Sequence, residues 1–340
     1  MRHRIFVTQP IAQSALSRLR KVAQVTVNPD ASRIIAKKAL VAGARRCDVL
    51  FSLLHDRIDR DVIAANPHLR AIASQSITPD NIDVSEATRR GIAVTVVPPI
   101  VAEATADIAF GLMLMVARRM AEGEQLVRKG QFPGSQSAYL AGAAVYGKTI
   151  GLVGGAGRIG RAVARRARGF DMRVLYWSPR RKPVDIEREY QMTYAPLTRL
   201  LAQSDFVSIH SPLKPETRHQ IGERELARMK GSAFLINTAR GPIVDEAALA
   251  RALKRGDIAG AGLDVFEHEP KVTPALLKMK NVVLTPHLGS AVVEVREQMA
   301  NIVVDNILAI LAGERPPNLV FDGTKLVGSL AGLDRQPVDF

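Results

Sequence analysis

Cysteine is almost absent from this sequence: the 340 residues include a single one, Cys47. One cysteine cannot form an internal disulfide framework, so the fold has to be stabilised by its core. Cys47 lies in an apolar stretch at residues 47–53, and we interpret it as a small core residue rather than a nucleophile. At this length the chain predicts two domains, each able to bury a hydrophobic core.

Long apolar runs and aromatic residues are also scarce. No uninterrupted apolar stretch could span a bilayer, and the chain opens on a strand pattern instead of a signal-peptide pattern, so we expect a cytoplasmic protein without a membrane partner. Aromatic residues make up 5% of the chain, and no helix-turn-helix, zinc-finger or aromatic RNA-binding pattern occurs. The net charge of +14 is spread over most helices, so we attribute it to attraction of an anionic cofactor and substrate, with no nucleic-acid partner.

A glycine-rich turn between a strand and a helix is the most informative feature that is present. Gly155, Gly157 and Gly160 fit the pattern G-x-G-x-x-G, with an apolar strand pattern at residues 149–153 and a helical pattern at residues 158–168. In such turns one glycine makes the bend, one lets the backbone approach a pyrophosphate, and one allows the helix to pack closely on the strand. The helix start then attracts phosphate, so the sequence predicts a dinucleotide-binding site.

The acidic residue that should follow this turn is missing. In NAD-binding units an Asp or Glu about 20 residues further on, at the end of the second strand, accepts from the ribose 2′-hydroxyl. Here the strand pattern at residues 172–177 is followed by Ser178 and a basic run at residues 180–182. A carboxylate would repel a 2′-phosphate, whereas a hydroxyl and guanidinium groups attract one. We therefore predict that Ser178, Arg180 and Arg181 favour NADP(H), with NAD(H) still possible.

Strand and helix patterns alternate along most of the chain. The alternation in the first hundred residues is typical of a doubly wound parallel sheet, and it resumes at the glycine-rich turn. Between the two, an apolar-rich helical pattern runs from Val101 to about Lys129. A last helical pattern covers residues 290–311, and we expect a loosely packed tail after about residue 322. The sequence thus predicts an α/β protein with two doubly wound parallel-sheet units.

Polar side chains follow three of the later strand patterns. Arg240, then Asp264 with Glu269, then His287 come after three successive apolar strands. In open α/β sheets, ligands bind beyond the carboxyl ends of the strands. An arginine, an acid and a histidine are therefore expected to gather where a nicotinamide ring would lie.

In sequence and in order along the chain, these segments resemble motifs of the D-isomer-specific 2-hydroxyacid dehydrogenases, especially those of the glyoxylate/hydroxypyruvate reductase branch. The similarity runs from about residue 45 to residue 320 and includes seven motifs: residues 80–83, 103–107, the glycine-rich turn, 210–213, 237–241, 264–270 and 286–290. The resemblance implies two Rossmann/flavodoxin-like domains with an active-site cleft between them. Residues 1–100 and 288–340 would form a discontinuous substrate-binding domain, and residues 101–287 the NAD(P)-binding domain. It also implies a homodimer joined through the nucleotide domains.

The resemblance assigns roles to residues in these motifs. Arg240 would hold the substrate carboxylate and carbonyl oxygen, a task suited to a planar guanidinium that stays charged. His287 would donate a proton to the carbonyl oxygen during reduction, and Glu269 would hydrogen-bond its other ring nitrogen. No metal is expected. Besides the turn glycines and the basic loop, the residues implied to contact the cofactor are Thr105, Arg158, Ile159, His210, Pro212, Thr217, Thr238, Ala239, Asp264 and Gly289.

The substrate side departs from the family pattern. Ser76, Ile77 and Thr78 are expected to offer backbone N–H groups to a substrate carboxylate, but relatives usually have a glycine at the position of Thr78. Threonine before a proline restricts the positive φ that glycine allows. Ser135 and Ser137 stand where related chains often have Trp and Pro.

We predict NAD(P)H-dependent reduction of a small 2-keto acid, glyoxylate or hydroxypyruvate, to the D-2-hydroxy acid. Two alternatives stay open. The altered substrate loop also suits a larger, hydroxylated 2-keto acid of the 2-ketogluconate type. A non-enzymatic NAD(P)-binding protein, like the corepressors built on this fold, is disfavoured by the intact set of Arg240, Glu269 and His287.

Overall fold

The computed structural model describes residues 2–320. These residues form two compact units: the chain up to Ile100 together with the segment from Val292 onward, and Val101–Ala291. The tail expected after about residue 322 lies outside the described residues. Which unit binds substrate and which binds cofactor stays a prediction. No helix within residues 2–320 is both long and apolar enough to cross a membrane.

The first unit contains a five-stranded parallel sheet. Its elements are β1 (His3–Val7), α1 (Gln13–Val22), β2 (Ala23–Val27), α2 (Lys37–Ala44), β3 (Val49–Ser52), α3 (Arg60–Ala64), β4 (Ala71–Ser74), α4 (Val84–Arg89) and β5 (Ala93–Thr95). The strands pair in the order β2-β1-β3-β4-β5. Every residue of β3 and β4 is buried, as expected for parallel strands covered on both faces. Asp59 and Asp83 begin α3 and α4 by accepting from backbone N–H groups of the first turn.

The second unit contains a seven-stranded parallel sheet. Its elements are α5 (Ala102–Ala117), α6 (Met120–Arg128), β6 (Thr149–Val153), α7 (Arg158–Arg168), β7 (Arg173–Trp177), α8 (Val184–Tyr190), β8 (Met192–Tyr194), α9 (Leu197–Gln203), β9 (Phe206–Ile209), α10 (Glu223–Leu226), β10 (Phe234–Asn237), α11 (Glu246–Arg255), β11 (Gly260–Leu263) and β12 (Val282–Leu284). The strand order is β12-β11-β10-β9-β6-β7-β8, so the winding direction reverses between β6 and β9. Ligands of such sheets bind at this switch point. The predicted α/β class with two doubly wound parallel sheets is confirmed.

The last helix, α12 (Val293–Ala312), belongs to the first unit. It packs against α1, where Arg18 donates to the Asn301 side chain (2.9 Å) and pairs with Asp305 (2.5 Å). The helix ends at Gly313, whose φ of 78° is the left-handed conformation that favours glycine at a helix end.

The prediction of one continuous helix from Val101 to about Lys129 is wrong, because the structure has two helices in this range. α5 ends at Ala117, and Arg119 adopts a left-handed conformation (φ 52°) before α6 begins. The Ala117 carbonyl accepts from the Ala143 N–H (2.8 Å) instead of continuing the helical ladder. A tertiary contact from the following loop therefore ends the helix, in a stretch that has no Pro or Gly to signal a break.

Candidate active site

The glycine-rich turn has the geometry that its sequence predicts. A Cβ on Gly160 would lie 2.2 Å from the Gly155 carbonyl oxygen, so only glycine lets α7 pack this closely on the turn. Gly157 is the residue immediately before α7 and supplies no side-chain cap. The backbone N–H groups at the start of α7, where Arg158 and Ile159 lie, therefore have no side-chain acceptor at the helix cap and can bind an anion.

Two polar side chains beside the switch point have no hydrogen-bond partner among residues 2–320. They are His210, which follows β9, and Thr238, which follows β10. Burial lowers the pKa of His210 to about 4, so its imidazole is neutral near pH 7. Buried polar atoms without a protein partner are available to a bound ligand, and these two lie where the sheet topology predicts one. With the glycine turn, they fit a dinucleotide lying across the switch point.

The basic loop after β7 contains two arginines in different environments. Ser178 is buried, and its Oγ donates to the Arg180 carbonyl oxygen (2.6 Å). Arg180 is exposed and forms no salt bridge with any residue that the structure describes. Arg181 instead forms a bidentate pair with Glu187, with both nitrogen–oxygen distances at 2.8 Å. Both arginines are exposed, and what separates them is that only Arg181 is paired with a carboxylate among the residues that the structure describes.

Arg240 lies just beyond β10 in a tightly packed backbone. Its side chain donates to the Ala239 carbonyl oxygen (2.8 Å), and its own carbonyl accepts from the Asn237 side chain (3.0 Å). A Cβ on Gly241 would lie 1.9 Å from the Phe266 carbonyl carbon and oxygen. The segment that carries Arg240 is therefore in backbone contact with the segment that leads to Glu269.

Glu269 and His287 form the acid–histidine pair that the resemblance implies. His287 Nδ1 lies 3.0 Å from Glu269 Oε2, and both side chains are about four-fifths buried, at 18% and 19% exposure. The other oxygen, Glu269 Oε1, accepts from the Phe266 N–H (2.9 Å), which fixes the orientation of the carboxylate. Because Nδ1 of His287 is held by the carboxylate, Nε2 is the ring nitrogen suited to proton transfer.

Asp264 anchors the segment that carries His287. The fully buried carboxylate accepts from Thr285 Oγ1 (2.6 Å), the Leu288 N–H (2.7 Å) and the Gly289 N–H (2.9 Å). His287 itself has a φ of 55°, and its N–H donates to the Asp264 carbonyl oxygen (2.8 Å). A left-handed histidine is uncommon and persists only where the surroundings hold it. A nicotinamide contact by Asp264 stays a prediction.

The remaining cofactor candidates are mostly engaged within the protein. Thr105 in α5 donates to the Gly289 carbonyl oxygen (3.1 Å), which ties that helix to the His287 segment. Thr217 donates to the Pro212 carbonyl oxygen (2.7 Å) and closes the turn after β9. Ala239 is buried directly after β10. Thr217 and Ala239 lie in the segments that follow β9 and β10, as a cofactor site in such a sheet requires, while the individual contacts stay predictions.

The expected substrate loop, in the first unit, follows β4 and is closed by its own side chains. Ser76 Oγ donates to the Thr78 carbonyl oxygen (2.7 Å), and Thr78 Oγ1 donates to Asp80 (2.8 Å). Thr78 does not adopt a positive φ, in line with the restriction expected before a proline. Ser76, Ile77 and Thr78 stay predicted substrate contacts. Ser135 and Ser137, the other two departures from the family pattern, are exposed in the loop between α6 and β6.

Three residues that support the site were not singled out from the sequence. Gly154 has a φ of 75°, and a Cβ there would lie 2.6 Å from the Ser211 nitrogen; the doublet Gly154-Gly155 could have signalled it. Thr285 donates to Asp264, and no local pattern in the sequence indicates that bond. Glu187 carries no local signal either, because its role depends on how α8 folds beneath the basic loop.

Comparison with known proteins agrees with this geometry. The profile of the D-isomer specific 2-hydroxyacid dehydrogenase NAD binding domain matches residues 110–289. A glyoxylate reductase of Korarchaeum cryptofilum is 49% identical over 94% of this chain and 96% of its own length. A crystal structure of a Thermus thermophilus protein shares 41% identity with a TM-score of 0.86, covering 94% of this chain and 100% of that one. An NADPH-dependent glyoxylate/hydroxypyruvate reductase of Sinorhizobium meliloti, solved with NADP and malonate, shares 34% identity with a TM-score of 0.78, covering 94% and 97%.

The chain belongs to the D-isomer specific 2-hydroxyacid dehydrogenase family. Within that family it falls in the glyoxylate reductase branch, since the relatives that cover nearly its whole length at 47–49% identity are glyoxylate reductases. The family resemblance inferred from the motifs is confirmed.

Proposed function

We propose that this protein reduces glyoxylate, hydroxypyruvate or a similarly small 2-keto acid to the 2-hydroxy acid, and to the D isomer where the product is chiral. The observation that carries the proposal is the His287–Glu269 pair, 3.0 Å apart, in a unit whose switch point has a dinucleotide-binding turn. Relatives named glyoxylate reductase over nearly the full chain support the substrate class.

The residues of this chain divide the task between binding and proton transfer. When bound, the reduced nicotinamide supplies a hydride to the carbonyl carbon. Arg240 binds the carboxylate and polarises the carbonyl oxygen with its fixed positive charge. His287 donates its Nε2 proton to that oxygen, while Glu269 accepts from Nδ1 and stabilises the charged imidazolium that precedes donation. In the reverse direction the neutral imidazole takes the proton back.

NADPH preference is the finer part of the proposal. Ser178 stands where an NAD-binding unit would have a carboxylate, and Arg180 lies exposed two residues later. One solved relative is named as NADPH-dependent, which supports the choice. A coenzyme comparison tests it directly, and a clear NADH preference would contradict the argument from Ser178 and Arg180.

A substrate panel is the decisive experiment. Glyoxylate, hydroxypyruvate, pyruvate and 2-ketogluconate are each supplied with NADPH and with NADH, and loss of reduced-nicotinamide absorbance is followed. We expect turnover with glyoxylate and with hydroxypyruvate. Turnover with 2-ketogluconate alone would favour the sugar-acid alternative. If no keto acid is reduced, the enzyme proposal fails and the non-enzymatic alternative gains support.

His287→Ala separates chemistry from binding. Loss of a general acid costs about 10²- to 10⁴-fold in turnover, so kcat is expected to fall by that range. Adenosine 2′,5′-bisphosphate binding should stay at the wild-type level. Equal loss of both quantities would mean that His287 has been assigned the wrong role.

We also propose a homodimer joined through the second unit. α6 has no buried residue, and large apolar side chains are exposed on it and on the loop that follows: Met120, Val127, Phe132, Tyr139 and Tyr146. Such a concentration on one segment is typical of an interface. Light scattering after size exclusion should give the mass of two chains, and Val127→Asp should shift it towards one chain.

A cytoplasmic location, expected from the sequence, is the last part of the proposal. Immunodetection in fractionated cells tests it, and recovery in a membrane or secreted fraction would contradict it.

A further inference from the structure

An acidic residue does lie beneath the basic loop after β7, although it does not stand at the end of the strand. Glu187, in α8, is 9% exposed. Its Oε1 accepts from Tyr176 Oη (2.7 Å) and from Arg181 Nε (2.8 Å), and its Oε2 accepts from Arg181 Nη2 (2.8 Å). Three donors therefore occupy this carboxylate on the inner side of the loop.

The same contacts hold the loop's backbone. Tyr176 is fully buried, and its Oη accepts from the Lys182 N–H (3.0 Å) while it donates to Glu187. The Arg181 guanidinium also lies 5.9 Å from the ring centroid of Tyr194 in β8. Both Arg181 and the peptide at Lys182 are thus tied to the sheet and to α8. The Arg181 guanidinium is thereby fixed on Glu187, although its side chain is 60% exposed, whereas Arg180 is exposed and pairs with no carboxylate that the structure describes.

The charges of this cluster are fixed over the physiological range. The hydrogen bonds from Arg181 hold the pKa of Glu187 at about 2, and burial together with Glu187 raises the pKa of Tyr176 to about 12. Glu187 is therefore a permanent negative charge close to the segment that would receive a 2′-phosphate. Arg181 balances that charge, because the two groups form a bidentate pair.

We propose that Arg181 and Glu187 are a positioning pair that orders the loop and neutralises the Glu187 carboxylate, so that Arg180 and Ser178 recognise the adenosine 2′-phosphate. The inference rests on the NADPH preference proposed above. It changes the role of Arg181 from a phosphate ligand to the counter-ion of Glu187, and it places cofactor selectivity on Arg180. Specificity then comes from removing a repulsive charge as well as from adding an attractive one.

A double-mutant cycle distinguishes a counter-ion from a ligand. Binding of adenosine 2′,5′-bisphosphate and of AMP is measured by calorimetry and by fluorescence of Trp177, the only tryptophan, which ends β7. The ratio of the two affinities isolates the 2′-phosphate and needs no turnover. The proteins are the wild type, Arg181→Gln, Glu187→Gln and the double variant Arg181→Gln/Glu187→Gln, which form the cycle, together with Arg180→Gln. Arg255→Gln, which removes a guanidinium of α11 that is paired with Asp257 and Glu223, is the matched control.

The expected results differ between the variants. Arg180→Gln lowers the affinity ratio roughly 10- to 100-fold, the value of a charge-assisted hydrogen bond to phosphate. Arg181→Gln lowers it about tenfold by exposing the Glu187 charge to the phosphate, and the double variant recovers most of that loss. The Arg255→Gln control leaves the ratio unchanged. Urea unfolding of every variant confirms that it folds.

The outcomes separate this inference from the proposal on which it rests. If the double variant keeps the whole loss of Arg181→Gln, then the Glu187 charge is not the cause of that loss and the counter-ion role of Arg181 is overturned. If the wild type binds both probes equally, the NADPH preference fails and the inference fails with it. If the cycle behaves as expected while no keto acid is reduced, the inference stands and the proposed reaction is wrong.

Discussion

Replacing Asp264 with asparagine tests whether this carboxylate holds the His287 segment in place. The Asp264→Asn variant keeps the size of the side chain but turns one of its two oxygens into an NH₂ group. In the wild type, Asp264 Oδ1 accepts from Thr285 Oγ1 and from the Leu288 N–H, while Asp264 Oδ2 accepts from the Gly289 N–H (2.9 Å). The amide oxygen should therefore take the Oδ1 position, where it keeps two bonds. Its NH₂ group then faces the Gly289 N–H, donor against donor.

The cost follows from this one misplaced donor. A hydrogen bond to a charged acceptor contributes about 1.5–3 kcal/mol, and a buried donor left unpaired costs about 1–3 kcal/mol. Because Asp264 and Gly289 are both buried, water cannot replace the lost partner. Relief of a buried charge offsets part of the loss, so we expect the free energy of unfolding to fall by about 2–4 kcal/mol. That is a large share of the roughly 5–15 kcal/mol typical of a natural domain.

The catalytic effect has a separate origin. The positive φ of His287 is a strained conformation, and the segment relaxes when its anchor weakens. A misplacement of about 1 Å can cost roughly 100-fold in rate, so kcat is expected to fall by about 10- to 100-fold. Urea unfolding and steady-state kinetics measure the two effects, and Asp257→Asn, at a partly exposed aspartate paired with Arg255, is the control.

Wild-type stability and kcat in Asp264→Asn would refute the anchoring argument. A third result is also informative. An increased KM for NADPH with unchanged stability would mean that Asp264 acts on the nicotinamide, as the family resemblance implies. Binding of adenosine 2′,5′-bisphosphate should be unaffected in every case, since its expected site lies on the other side of β6.

Three further predictions concern packing and burial. Gly160→Ala would put a Cβ only 2.2 Å from the Gly155 carbonyl oxygen, so the turn should be distorted and binding of adenosine 2′,5′-bisphosphate should be lost. Calorimetry measures this binding, and wild-type affinity would show that the turn can shift. Cys47 is buried with a pKa raised to about 12 by desolvation, so a thiol reagent should react slowly with the native protein and rapidly in urea, and equal rates would contradict its burial. His210 has a pKa lowered to about 4 by burial, so below the ordinary value of 6.5 the unfolded chain binds a proton that the folded chain does not. The free energy of unfolding should therefore decrease as pH falls from about 6.5 to 4, and His210→Gln should flatten that decrease; an unchanged slope would mean that other groups cause it.

Features that depend on local spacing could be read from the sequence. The turn at Gly155, Gly157 and Gly160 lies between β6 and α7 as its pattern indicates, because strand, bend and helix start are all short-range structures. The pairing of Glu269 with His287 was inferred from strand ends and family order, and the two atoms lie 3.0 Å apart. In a parallel sheet every strand end reaches the same edge, so order along the chain is enough to bring such residues together.

Features that depend on contacts between distant segments could not be read in this way. The break after Ala117 comes from a bond to Ala143, and the sequence around it contains no breaker. The carboxylate of Asp264 accepts from three donors of the His287 segment, a role that the sequence does not indicate; its predicted contact with the nicotinamide stays a prediction. Neither contact has a signal in local composition, since each partner becomes a neighbour only after the sheet has formed.

The sequence by itself determined the α/β class and the glycine-rich turn, and it predicts the roles of Arg240, Glu269 and His287. It also showed that no carboxylate ends the second strand of the cofactor unit, which points to a 2′-phosphate. Only the tertiary structure decided what the nearby charges do. Arg180 and Arg181 are adjacent and chemically identical, but α8 brings Glu187 to one and leaves the other in solvent. Charge type is encoded residue by residue, whereas the partner that uses or cancels a charge is set by folding.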